Sequence, residues 1–255
     1  MRWLNHVIWK LLVTNLRVFG LSNLRVYDAV VDVNGWGDYW QVDQAIDAGA
    51  ISIFVRDGTY LPFTIDNANT QVTGASWATI IDGATTSAAI DVNGVDDCVI
   101  RNLQCKTTGG EGNAYDAITI GSGSDRLLIE RVYIPDSDQH GINYESRADA
   151  SYGMIRDCYI TDTDNIGIYI QTYFTSIKDC IIVSTGSHGI SCSVTGDATS
   201  IVGCMILVAG NDGVLLDPGA DNSLVAGCIL FQCTNEEVDD NSGTSTDAAN
   251  EKLPL

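Results

Sequence analysis

The sequence predicts an all-β, single-stranded parallel β-helix of about eight coils with an N-terminal helical cap or attachment segment. Three observations predict it. Two short apolar motifs recur about every two dozen residues, and the distance from the first to the second is nearly fixed. The stretches between them are rich in Gly, Asp, Ser and Asn, with no long run of 3.6-residue periodicity between 60 and 240. The parts assigned are 1–35 as cap or attachment segment, 36–240 as coil and 241–255 as a polar C-terminal tail.

The first motif reads apolar-Ile-x-x-Cys-x-Ile. It begins at Val99-Ile100, Leu128-Ile129, Met154-Ile155, Ser176-Ile177, Ser200-Ile201 and Leu224-Val225, in steps of 29, 26, 22, 24 and 24. The second reads Gly-Ile-x-Ile. It stands at Ala117-Ile118, Gly141-Ile142, Gly167-Ile168, Gly189-Ile190 and Gly213-Val214, with a decayed copy at Glu237-Val238. From motif to motif the distance is 13 residues in five coils and 18 from Ile100 to Ile118, where a glycine-bearing loop intervenes. This pattern reads as two short strands per turn. Counting Ile65, Ile90, Ile118, Ile142, Ile168, Ile190, Val214 and Val238 gives eight coils. At a strand spacing of about 4.8 Å that is a rod of roughly 38 Å.

Composition narrows the function. The 255 residues are 45% apolar, enough for one large core. A formal charge of −20 excludes a phosphate-backbone binder and an anionic membrane surface, so neither nucleic acid nor membrane is expected as a partner. It also disfavours a polyanionic substrate unless a cation bridges the two. The acid is mostly Asp, 27 against 6 Glu, which suits turns rather than helices. Residues 1–19 place Trp3, Leu4, Val7, Ile8, Leu11 and Leu12 at helical spacing, an apolar surface that needs burial. Arg2, Lys10 and Arg17 interrupt it too often for a membrane span, and no small-residue cleavage site follows.

Ahead of the repeats, Asn34-Gly35-Trp36-Gly37-Asp38-Tyr39 leads to a short helix over Val42–Ala48. A strand, Ile51–Val55, and a turn, Arg56–Tyr60, follow. Together with the repeats this resembles the right-handed parallel β-helix, or pectate-lyase-like, superfamily over residues 30–240. The resemblance implies a fold and no single activity, because that fold carries lyases, hydrolases, esterases, adhesins and viral spikes.

Coiling turns letters two dozen places apart into vertical neighbours. The fifth position of the first motif reads Leu103, Val132, Cys158, Cys180, Cys204, Cys228, an inward column best read as a stack of free thiols. A linear stack does not converge as metal ligands must, so no metal and no cofactor is expected. The sixth position, pointing outward, reads Gln104, Tyr133, Tyr159, Ile181, Met205, Ile229; the eighth reads Lys106, Pro135, Thr161, Val183, Leu207, Phe231. This face turns apolar toward the C-terminus. Tyr159, Ile181, Val183, Met205, Leu207, Ile229 and Phe231 are therefore the expected interface of a homo-oligomer. The resemblance to viral spikes implies a trimer.

Two sets of candidate site residues lie on the second motif. Its outward positions give a polar face with Asn143, Glu145, Tyr169, Gln171 and Asp217, suited to glycan hydroxyls and ring stacking. Two residues before each motif Ile stand Asp116, His140, Ile166, His188 and Asp212. Ser187-His188-Gly189-Ile190-Ser191 looks like the Gly-His-Gly-Ile-Ser stretch of polygalacturonases, which makes Asp116, His140, His188 and Asp212 the catalytic candidates. Against hydrolysis, Asp116 and Asp212 are four rungs apart, about 19 Å. The preferred alternative is that these residues close a turn before a glycine. Lyase chemistry needs an Arg or Lys base, and Arg101, Arg126, Arg131, Arg147, Arg156 and Lys178 read as scattered.

Asn15-Leu16-Arg17-Val18 recurs as Asn23-Leu24-Arg25-Val26, resembling the stems before β-helices in phage tail proteins. These features together favour a virion structural or receptor-binding rod, a phage tail fibre or tailspike. It would contact other virion proteins through its N-terminus and a host surface glycan through its coils, after assembly in the host cytoplasm. The alternative is a polysaccharide-degrading enzyme, a glycosidase or lyase, at an extracellular or cell-surface location.

Overall fold

The structure is a computed structural model. It describes residues 26–84, 87–108, 114–145, 152–193, 198–248 and 250–252. The apolar helix expected over 1–19 lies outside the described residues. Every strand pairing is parallel, and the chain winds through three sheets in turn. The first sheet has ten strands, from Ala29–Val31 to Thr246–Ala248. The second has nine, from Gly58–Tyr60 to Glu251–Lys252. The third has eight, from Phe63–Ile65 to Val238–Asp240. The eight coils are as expected. The ladder runs beyond both expected boundaries: Ala29–Val31 pairs with Ile53–Val55, and Thr246–Ala248 pairs with Leu224–Ala226.

Each coil holds three strands, not two. The first motif is broken in its middle by a residue in the left-handed region: Asn102, Arg131, Asp157, Asp179, Gly203 and Gly227 have φ between 51° and 68°. Asn, Asp and Gly adopt that conformation most readily. The chain turns a corner there, so Ile100 ends up on the first sheet and Cys105 on the second. Strand alternation alone hides the bend, because the apolar pattern resumes in phase after it. One rung is also shifted: Ile90 pairs with Phe63, and Ile65 with Val92.

The interior is a set of aliphatic columns. Ile118, Ile142, Ile168, Ile190 and Val214 stack in register on the third sheet, all fully buried. Cys158, Cys180, Cys204 and Cys228 form the expected single file at the corner, buried and without disulfides. Each thiol reaches toward a carbonyl of the coil before it, as from Cys180 to Ile155 O (3.8 Å) and from Cys228 to Ile201 O (3.9 Å).

The short helix forms over Val42–Asp47. It buries Val42, Ala45 and Ile46 and carries Asp43 to the edge of the third sheet. Asp43 Oδ1 accepts a hydrogen bond from Thr64 N (3.4 Å). No helix among the described residues is long and apolar enough to cross a membrane.

Candidate functional site

The third sheet presents its outer face as two parallel rows. In register along the first row stand Thr64, Asp91, Thr119, Asn143, Tyr169, Ser191 and Leu215. One pleat further along the chain stand Gly121, Glu145, Gln171, Ser193 and Asp217. Asn143, Glu145, Tyr169, Gln171 and Asp217 thus share one surface, as expected from strand alternation.

The densest cluster spans three coils. Asn143 Nδ2 donates both to Asp116 Oδ2 (2.8 Å) and to Glu145 Oε1 (3.1 Å). The amide orientation follows from this, since the flipped rotamer would set its oxygen against two carboxylates. One nitrogen therefore gathers two carboxyl groups whose nearest oxygens are less than about 6 Å apart. Thr119 Oγ1 also donates to Asp116 Oδ2 (3.2 Å). The His140 ring lies 5.1 Å from that of Tyr169. Burial pushes the Asp116 carboxyl up, against the pull of its Asn143 and His140 neighbours. Burial likewise pushes the His140 imidazole down, against the nearby carboxylates of Asp116 and Glu145.

The column two residues before each motif isoleucine has a structural task. Its side chains accept the backbone N–H of the same position one coil on. His140 N donates to Asp116 Oδ1 (3.0 Å), Ile166 N to His140 Nδ1 (3.3 Å), Asp212 N to His188 Nδ1 (3.4 Å) and Glu236 N to Asp212 Oδ1 (3.0 Å). Asp212 Oδ2 also lies 3.1 Å from His188 Nδ1. Asn235 Nδ2 donates to Asp212 Oδ1 (2.8 Å). Asp116 and His140 thus meet Asn143, Glu145 and Tyr169. His188 and Asp212 form a separate pair further along, with Asp217 near enough to feel the His188 charge.

Two acids were not singled out in the sequence. Asp43 and Asp91 line a cavity of about 360 Å³ together with Phe63, Thr64, Tyr115 and Thr119. Burial raises both carboxyls. Asp91 was findable, since it is the outward residue of the strand Ile90-Asp91-Val92. Asp43 was not, because a helix brings it there.

Residues 53–230 match the family described as the right handed beta helix region. The chain belongs to that family. The coil is therefore right-handed, as the resemblance implied. Among solved structures the chain is similar to pectin methylesterase from carrot, at 15% identity and TM-score 0.67, covering 89% of this chain and 83% of that one. It is similar to pectin methylesterase PemA from Erwinia chrysanthemi at 13% identity and TM-score 0.65, covering 91% of each chain. It is also similar to the A-module of the mannuronan C-5 epimerase AlgE4 from Azotobacter vinelandii, at 15% identity and TM-score 0.61, covering 82% and 70%. No curated protein matches by sequence. At these identities the likeness establishes the fold. It also corrects the expectation of a virion rod, because these neighbours are carbohydrate-modifying enzymes and not virion components.

Proposed function

We propose that the protein is a hydrolase acting on a polysaccharide laid along the outer face of the third sheet, with Glu145 as the reacting carboxylate. One observation carries the reading: the Asn143 amide holds Asp116 and Glu145 together beside an aromatic ring. Hydrolysis of a glycosidic or ester bond needs two carboxyl groups in unlike environments, one to hold a proton and one to accept it. Asp116 is buried and its carboxyl is raised, while Glu145 is half-exposed on the same face. Tyr169 supplies a surface for a sugar ring. The named neighbours act on pectin and mannuronan, which makes those polymers the first substrates to test. A lyase is not favoured, since no Arg or Lys stands in either outward row of this face among the described residues.

The test is bond cleavage in pectin, polygalacturonate and alginate, read as new reducing ends and released methanol. Glu145→Gln should lower turnover about 100-fold or more, the scale of a lost acid–base group. Tyr169→Ala should mainly raise KM. A wild-type protein that cleaves none of these polymers, or a Glu145→Gln variant of full activity, would refute the assignment.

We also propose that the protein self-associates through the C-terminal half of the second sheet. Ile181, Met205 and Ile229 stand in register there, and beside them Val183, Leu207 and Phe231. Ile181 is 39% exposed. Two aliphatic rows side by side on an outer face suit a second copy of the same face. Ile181→Asp with Met205→Asp should reduce the mass in solution to that of one chain while leaving circular dichroism unchanged. A wild-type chain that already runs as a monomer would rule the interface out.

A further inference from the structure

Four of the basic residues that read as scattered in the sequence, Arg101, Arg131, Arg156 and Lys178, are brought to one corner. In the first sheet Thr73, Arg101, Glu130, Arg156 and Lys178 are successive rungs of one outward column. Arg131 follows at the bend toward the second sheet, with φ 51°. Four of the eight cations among the described residues therefore stand on four adjacent coils, in a chain of net charge −20.

Their arrangement is fixed by neighbours. Glu130, nearly buried, accepts from Arg131 Nη2 at one oxygen (2.8 Å) and from Arg156 Nη2 at the other. Burial opposes ionisation of Glu130, but the two guanidinium groups outweigh it and hold its carboxyl below the usual range. Arg101 Nε donates to Thr73 Oγ1 (2.9 Å). The side chains of Arg131, Arg156 and Lys178 remain 54%, 43% and 57% exposed. Asp157 and Asp179 lie at the same bends, and Asp179 comes within 3.8 Å of Lys178 Nζ. With Glu130 they set three carboxylates against the four cations and leave the corner a net charge of +1, in which Arg101 has no carboxylate partner of its own in the column.

An aromatic row runs beside these cations. The ring centroids of Trp77 and Tyr133 are 5.3 Å apart, as are those of Tyr133 and Tyr159, the latter pair stacked at 13°. Trp77 Nε1 donates to Arg131 O (2.9 Å), which fixes the indole against the bend, and 43% of the residue stays exposed.

We propose that this corner is a second carbohydrate-binding strip, selective for acidic polysaccharides, in which Trp77 stacks on a sugar ring and Arg101, Arg131 and Arg156 hold carboxylates of successive residues. Guanidinium groups match carboxylates in a bidentate fork, and a fixed indole is a low-entropy platform. The third sheet's outer face, with Asp91, Glu145 and Asp217, carries the opposite charge and suits neutral or esterified sugars. The strip therefore stands apart from the proposed hydrolytic site and does not depend on it.

The test is affinity electrophoresis of the full chain through gels containing polygalacturonate, with dextran as the neutral control. Polygalacturonate should retard the wild type and dextran should not, and salt should weaken the retardation. Trp77→Ala and Arg131→Gln, each checked for an unchanged circular dichroism spectrum, should each weaken binding about tenfold. Turnover lost in Glu145→Gln and retardation lost in Trp77→Ala are read in separate assays. Equal retardation of folded Trp77→Ala and Arg131→Gln, or equal binding to dextran, would overturn the strip. So would a wild-type dimer that Arg131→Gln dissociates while no glycan retards either form, because the corner would then bind a second copy of this chain.

Discussion

Gly189→Ala is expected to cost about 3 kcal/mol, the upper end of the usual range for overpacking. The cause is a close approach between coils. A Cβ at Gly189 would sit 2.7 Å from Gly213 O and would also press into the side chain of Ile206. The same contact repeats up the column, at 2.6 Å from Gly141 to Gly167 O, from Gly167 to Gly189 O and from Gly213 to Glu237 O. Neither neighbour can yield, since the carbonyl accepts Ile190 N in the ladder and Ile206 is fully buried. Thermal unfolding should shift down by roughly 6–12 °C for a chain of this size. Gly121→Ala is the control. Its nearest contact is Val92 O at 3.3 Å, with nothing else closer than 4.0 Å, so its cost should stay under about 1 kcal/mol. Equal melting temperatures for the two variants would refute the close-approach explanation of the glycine column.

Raising the pH from 8 to 10 is expected to destabilise the protein by several kcal/mol, through its thiols. Cys105, Cys180, Cys192, Cys204 and Cys228 are at most 1% exposed, and each is held above the ordinary thiol value of 9.0. Burial does this at Cys105 and pushes Cys192 up to about 12. In the stack the neighbouring thiol acts first and burial adds to it, with Cys204 also pushed up to about 12. All five stay neutral in the folded chain, while in the unfolded chain they ionise above 9. The unfolded state then binds fewer protons, so stability is complete below pH 9 and is lost as the pH climbs from 9 toward the raised folded values. Each thiol contributes at most ~1.4 kcal/mol per pH unit in that window. Five of them approach the whole stability of a typical domain. Melting temperatures at pH 8, 9 and 10 check this, and a flat profile would refute it. At pH 8 the same five should resist alkylation by iodoacetamide in the folded protein, because the thiolate is the reactive form.

The coil, its eightfold count and the thiol file were legible because vertical stacking forces each position to repeat its chemistry every two dozen residues. Strand alternation likewise sorted Asn143, Tyr169 and Glu145 onto an outward face. The third strand per coil was hidden, because a single left-handed residue turns the chain without disturbing the alternation on either side of it. The signal was present in Asn102, Asp157, Asp179, Gly203 and Gly227 at one motif position, and Arg131 masked it. The arginine corner was missed for the same reason: without that bend, Arg131 and Trp77 have no shared edge. What the capping column does could not be read from composition, since Asp and His before a glycine suit both a proton-transfer site and a backbone acceptor. The coil-to-coil distances show the backbone-acceptor task, and only the contacts of Asn143 add a second carboxylate beside Asp116.

Between Asp116 and Asp212 that column has one gap. Where Asp116, His140, His188 and Asp212 each tie down the coil above, Ile166 offers no acceptor to the coil that carries His188. Over that stretch, tension along the axis should part the storeys of Ile166 and His188 first, because each of the other junctions keeps its clasp.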